Sequence, residues 1–165
     1  MMNGENNLHT ISVLVENHFG VLKKVSGLFS ARGYNIASLS VGMTEDPTIS
    51  RMTIVVEGDE YILEQVKKQL NKLIDVIKVV DLTQKQTIER ELILIKIEAP
   101  ATKRAEIMEI VDVFRAKIVD ISHKDMVIEA TGSLAKVTAF INLVQPFGIK
   151  ELARTGKVAM ERGKK

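Results

Sequence analysis

The sequence predicts an α+β fold of two units in tandem, each an antiparallel sheet with two helices on one face. Three observations predict it. Ile11, Val13 and Val15 alternate with Thr10, Ser12 and Leu14 at the period of a strand with one strongly apolar face. Val21, Leu22, Val25, Leu28 and Phe29 then recur at helical spacing, with Lys23, Lys24, Ser26 and Ser30 on the other side. The order strand, helix, strand, strand, helix, strand occurs twice, on either side of the polar stretch Gln84-Lys85-Gln86-Thr87.

In the first half, residues 9–15 read as a strand and the helix that opens at Val21 ends at Arg32-Gly33. Residues 36–43 and 51–56 form a hairpin across the turn-rich Thr44-Glu45-Asp46-Pro47-Thr48. Gly58-Asp59 opens a second helix with Ile62, Val66, Leu70 and Leu73 on one stripe and Glu64 one turn before Lys68. Residues 76–82 close the unit as a strand. In the second half, 92–97 is a strand, and Ile107, Ile110, Val111 and Phe114 mark a helix. Residues 117–121 and 126–130 flank the turn at His123-Lys124-Asp125. Ser133 caps a helix carrying Leu134, Val137, Ile141 and Val144 and broken at Pro146, and 149–153 is the final strand.

Both halves follow the βαββαβ order of the ferredoxin-like split unit. The expected division is a first domain over 1–83, a linker over 84–90 and a second domain over 91–165. Cleavage within 84–87 should then leave the first domain folded, since a polar linker carries few contacts. In this fold the sheet face away from the helices is solvated or paired with a partner. Here Leu14, Val55, Leu92 and Leu94 fall on that face, so packing against another copy or another domain is expected.

Composition narrows the function. The 165 residues are 45% hydrophobic and 27% charged, so a packed core is expected. A net charge of only +2 gives little affinity for phosphate, and the basic cluster Arg162, Lys164 and Lys165 reads as solvated. The chain has no cysteine, which excludes disulfides, a thiolate nucleophile and cysteine-held metals and fits a cytoplasmic location. No apolar run is long enough to span a bilayer, and the polar opening at 1–7 lacks the regions of a signal peptide.

Catalytic groups are scarce. His9, His18 and His123 lie far apart without a second ligand at helical spacing, so each reads as a surface or turn residue. No phosphate loop or dinucleotide turn is present. Thr131-Gly132-Ser133 at a helix start is explained by capping. RNA binding through a sheet needs stacking aromatics, yet aromatics are 4% of the chain and residues 51–56 contain none. Neither an independent enzyme nor a nucleic-acid binder is expected.

One constellation remains. Glu16-Asn17-His18-Phe19-Gly20-Val21-Leu22 joins the first strand to the first helix, and Gly33-Tyr34-Asn35-Ile36 follows one helix length later. Gly20 permits close approach to the backbone where the first free N–H groups of a helix point outward, a position that attracts a carboxylate. Asn17 and Asn35 offer amides suited to an ammonium group. A free amino acid fits this chemistry, and so does ordinary strand-to-helix punctuation with an Asn near the helix start and a Gly at its end.

Several segments resemble the small regulatory subunit of acetolactate synthase, an ACT-domain family. These are Glu16-Asn17 with Gly20-Val21-Leu22, Gly27-Leu28-Phe29-Ser30-Ala31-Arg32-Gly33-Tyr34-Asn35-Ile36 and Asp46-Pro47-Thr48-Ile49-Ser50-Arg51-Met52-Thr53. Thr131-Gly132, Ala139-Phe140 and Glu151-Leu152-Ala153-Arg154-Thr155-Gly156 are similar to the family's second domain. The resemblance implies an amino-acid-binding ACT domain followed by a second ferredoxin-like domain. It also implies a large catalytic subunit that carries thiamine diphosphate, magnesium and FAD, none of which this chain should bind. The small subunit would raise the partner's activity and confer feedback inhibition, usually by valine.

Valine has only about 8 heavy atoms, so micromolar binding demands about −1 kcal/mol per atom and nearly complete burial. A homodimer or higher oligomer in which two copies close over the ligand meets that demand. The expected effector site is then Asn17, Gly20, Val21 and Leu22 of one copy with Asn35 and Ile36 of its neighbour. A free-standing amino-acid-sensing module without an enzyme partner is the alternative.

Overall fold

A computed structural model describes residues 7–164; the opening residues 1–6 and the last, including most of the polar stretch discussed above, lie outside the described residues. The chain forms two units, 7–88 with 157–164 and 89–156 among those residues. Both are antiparallel sheets with two helices, the tandem ferredoxin-like arrangement of the expected α+β class.

The first unit contains β1 (Leu8–Glu16), α1 (Val21–Ala31), β2 (Asn35–Met43), β3 (Ile49–Glu57), α2 (Glu60–Asn71) and β4 (Val76–Asp81). Its strand order is β2-β3-β1-β4. Alternation on β1 buries Ile11, Val13 and Val15 against Val21, Val25 and Phe29 of α1 and Leu63, Val66 and Leu70 of α2. Burying a side chain of this size contributes about 1.5–3 kcal/mol, so the core rather than local propensity holds the helices in place. Asp59 caps α2, its side chain accepting from the Ile62 N–H at 2.9 Å. Removing this cap as Asp59→Ala is expected to cost about 1 kcal/mol, measurable by chemical denaturation. Glu64 pairs with Lys67 at 2.6 Å rather than with the expected Lys68, because neighbours three apart also share a helix face.

The second unit contains β5 (Thr87–Glu98), α3 (Arg104–Val113), β6 (Lys117–Ile121), β7 (Asp125–Gly132), α4 (Leu134–Val144) and β8 (Ile149–Arg154), in the order β6-β7-β5-β8. A short 3-10 turn at Gln145–Phe147 follows α4, where Pro146 ends the helix. Ser133 caps α4 by accepting from the Lys136 N–H at 3.3 Å. Phe140, fully buried, meets Phe114 edge-on with ring centroids 5.5 Å apart.

Two expectations are corrected here. The span 84–90 is not a linker throughout, because Thr87 already begins β5. Residues 149–153 are not the last strand: β9 (Val158–Glu161) follows and pairs with β5. Beyond β9 the Arg162 side chain is exposed, as expected, while its backbone N–H donates to the Gln86 carbonyl at 2.8 Å and Lys85 pairs with Glu161 at 3.0 Å.

The returning segment lies on the first sheet's outer face, where the Lys157 N–H reaches Ser38 Oγ at 3.0 Å and β9 lies against β1. Thr10, Ser12, Thr53 and Val55 on that face are buried, so this chain supplies part of the cover expected from a partner. A fragment ending before Gln84 lacks that segment. On the second sheet Leu94 remains 40% exposed.

Candidate functional site

The loop between β1 and α1 is held from several sides. Asn17 donates its backbone N–H to the Thr48 carbonyl at 2.7 Å and its amide to the Pro47 carbonyl at 2.9 Å, fastening the loop to the β2–β3 turn. That turn is fixed by Asp46, which accepts from Thr48 N–H and Oγ at 2.9 and 2.7 Å; these bonds hold the Asp46 carboxyl below its ordinary pKa.

Gly20 stands at the helix start with φ of +85°, a left-handed conformation that favours glycine. No atom lies within 4 Å of the position its Cβ would take. The Val21 N–H reaches the His18 carbonyl at 3.4 Å and the Lys24 N–H reaches the Gly20 carbonyl at 3.0 Å. Those of Leu22 and Lys23 find no backbone acceptor among the described residues, so two donors point out of the first turn. With the positive end of the helix dipole behind them, they suit a carboxylate.

The expected residues do not all meet within one chain. Val21 contributes to the core with its side chain 4% exposed, so its role at the loop is to anchor the helix start. Leu22 is 49% exposed beside the free N–H groups. Asn35 pairs across the sheet with Glu57, which in turn lies opposite Leu8. Asn17 follows Glu16, at the other end of β1. At ~3.3 Å per residue the two asparagines are separated by about 30 Å along the sheet. Asn35, exposed, donates its amide to Glu57 at 2.7 Å, and Ile36 is half-buried beside it.

A charged cluster beside the loop was not legible in the sequence. His18 Nε2 lies 2.7 Å from Asp75 Oδ1 and 3.3 Å from Glu16 Oε2, while Lys24 Nζ lies 2.8 Å from Asp75 Oδ2. His18 is exposed in the turn, as expected, with 46% of its side chain accessible, and pairs with these carboxylates from there. His9, expected at the surface or in a turn, is instead buried in β1 and meets the Gly58 carbonyl through Nε2 at 2.9 Å. Asp75 is 4% exposed; the only sign of its place was a carboxylate between Ile74 and Val76. Lys24 holds the Asp75 carboxyl below the usual range, and the Phe19 carbonyl together with the Asp75 charge lifts the His18 imidazole above its ordinary value.

Glu16, His18 and Asp75 also bring one ligand atom each within 4.8 Å of one another. The ammonium on Asp75 already supplies positive charge there, so the group is a compensated ion cluster rather than a cation site. No helix among the described residues is long and apolar enough to cross a membrane.

This geometry defines a two-unit α+β protein with a carboxylate-suited loop at a helix start. Comparison with known proteins makes the class specific. Residues 11–78 match the family described as "AHAS small subunit-like ACT domain" and residues 90–163 match "Small subunit of acetolactate synthase". A "Probable acetolactate synthase small subunit" of Archaeoglobus fulgidus is 60% identical over 157 residues, covering 95% of this chain and 98% of the relative. The acetolactate synthase small subunit of Mycolicibacterium smegmatis is 53% identical over 94% of this chain and 91% of its own. The crystal structure of that subunit from Thermotoga maritima superposes with a TM-score of 0.87 at 45% identity, covering 95% of this chain and 98% of the other. The chain belongs to the acetolactate synthase small-subunit family, with an ACT domain in its first half.

Proposed function

We propose that this chain is the regulatory subunit of a cytoplasmic acetolactate synthase: it binds and activates a large catalytic subunit and confers feedback inhibition by binding valine at an interface between two copies of its ACT domain. The observation that carries the effector reading is the start of α1, where the Leu22 and Lys23 N–H groups are free and Gly20 leaves the approach open. The separation of Asn17 from Asn35 supports a shared site, because a second copy can bring its Asn35 and Ile36 to the loop that one chain leaves half-walled. β2, which carries Asn35, is an edge strand and so has a side free for such a neighbour. Valine then inhibits by favouring one subunit arrangement over another; equal affinity for both would shift nothing.

Condensation of two pyruvates, or of pyruvate with 2-oxobutyrate, belongs to the partner, with thiamine diphosphate, magnesium and FAD. This chain's part is to bind, orient and transmit. Calorimetric titration with valine, leucine and isoleucine, alongside pyruvate turnover with and without the catalytic subunit, tests the proposal. The chain alone, supplied with cofactors, is expected to form no acetolactate, to raise the partner's activity several-fold and to make it valine-sensitive. Turnover by the chain alone, or ligand binding without any effect on a thiamine-diphosphate-binding partner, overturns it, the second outcome in favour of a free-standing sensor.

A further inference from the structure

We propose that Asp75 and the imidazolium form of His18 position the loop between β1 and α1 for a carboxylate, so that effector affinity falls as His18 loses its proton. The inference rests on the reading of this loop as the effector site. Both ring nitrogens of His18 face oxygens that only accept: Nε2 faces the carboxylates of Asp75 and Glu16, and Nδ1 lies 3.3 Å from the Phe19 carbonyl. A neutral imidazole has one N–H and one bare nitrogen. One of these contacts would then set lone pair against lone pair, whereas the doubly protonated ring satisfies both.

Asp75 makes this arrangement stiff. Its side chain takes His18 on one oxygen and Lys24 on the other, and its backbone carbonyl accepts the Glu16 N–H at 2.9 Å. One buried residue thereby ties together the end of β1, the loop and the first turn of α1. The charged groups facing His18 are Glu16 from β1, Lys24 from α1 and Asp75 from the segment before β4. With the imidazolium these four side chains are neutral in sum. Without its proton they leave one net negative charge beside the free Leu22 and Lys23 N–H groups, where it opposes an incoming carboxylate.

Where Nε2 keeps its proton toward the carboxylates, the carbonyl that loses its hydrogen bond is that of Phe19, the residue before Gly20, and the turn that aims those N–H groups loses a restraint as well. The sign follows from linkage. A bound carboxylate favours the protonated ring, so binding takes up a proton, is strongest below the His18 pKa and weakens as pH rises through it. The raised pKa of His18 places that loss above the ordinary histidine value.

The test is calorimetric titration of the full chain with valine at about pH 6 and about pH 8.5, in buffers of different ionisation enthalpy. Wild type is expected to bind about fivefold more tightly at the lower pH, with net proton uptake. His18→Gln should bind weakly at both, without uptake, and His18→Lys tightly at both, because its ammonium keeps the charge. That rescue separates charge positioning from a purely structural role. A wild type with neither pH dependence nor proton uptake overturns the proposal, as does His18→Gln with the wild-type profile. Failure of the wild type to bind valine, leucine or isoleucine at either pH overturns the effector reading and this inference with it.

Discussion

Gly20→Asp is expected to weaken valine binding more than about a hundredfold, the equivalent of about 2.8 kcal/mol, while leaving the chain folded. The new carboxylate would enter open space at the helix start and accept from the Leu22 and Lys23 N–H groups, the donors assigned to the ligand. It would add like-charge repulsion to this self-occupation. The left-handed backbone at φ +85° costs a side chain about 1–2 kcal/mol, largely offset by a cap worth about 1 kcal/mol. Asn17→Ala and Asn35→Ala, each losing one hydrogen bond to a charged group, should weaken binding by about ten- to a hundredfold. Calorimetry with valine and a melting curve for each variant separate binding from stability. Unchanged valine affinity in Gly20→Asp would move the site elsewhere. Activation of the catalytic subunit should survive all three changes, since it need not use this surface.

Phe140→Ala should destabilise the second unit by about 3–5 kcal/mol. The side chain is fully buried and its ring meets Phe114 edge-on, so truncation removes apolar burial and an aromatic contact together. Each unit has its own core, and differential scanning calorimetry should show one transition falling while the other holds. A single transition that shifts as a whole would show the two cores unfolding together.

The sequence made legible what is periodic or local. Strand alternation around Ile11–Val13–Val15, the helical stripe through Val25 and Phe29, and the caps at Asp59 and Ser133 depend on neighbours a few residues away. The pattern of one buried face per element followed from them. What escaped depends on distance along the chain. β9 is four residues long with only Ala159 buried, too short a pattern to signal a strand, and its place follows from contacts with residues much earlier in the sequence. The Asp75 cluster joins His18, Lys24 and a loop beyond α2, a combination no spacing rule describes. Asn17 and Asn35 were read as parts of a site shared by two copies, and their places at opposite ends of the sheet follow from a helix that carries the chain from one end to the other.

The return of residues 157–164 to the first unit gives this protein an order of completion unlike its order of sequence. During synthesis the ACT segment emerges first, with the outer face of its sheet still lacking β9, and the whole second unit must follow before that cover is made. Until then the sheet face that carries Thr10, Ser12, Thr53 and Val55 lacks β9 and is open to chance contacts, so a chaperone or an early assembly partner has most to protect in the half that is made first.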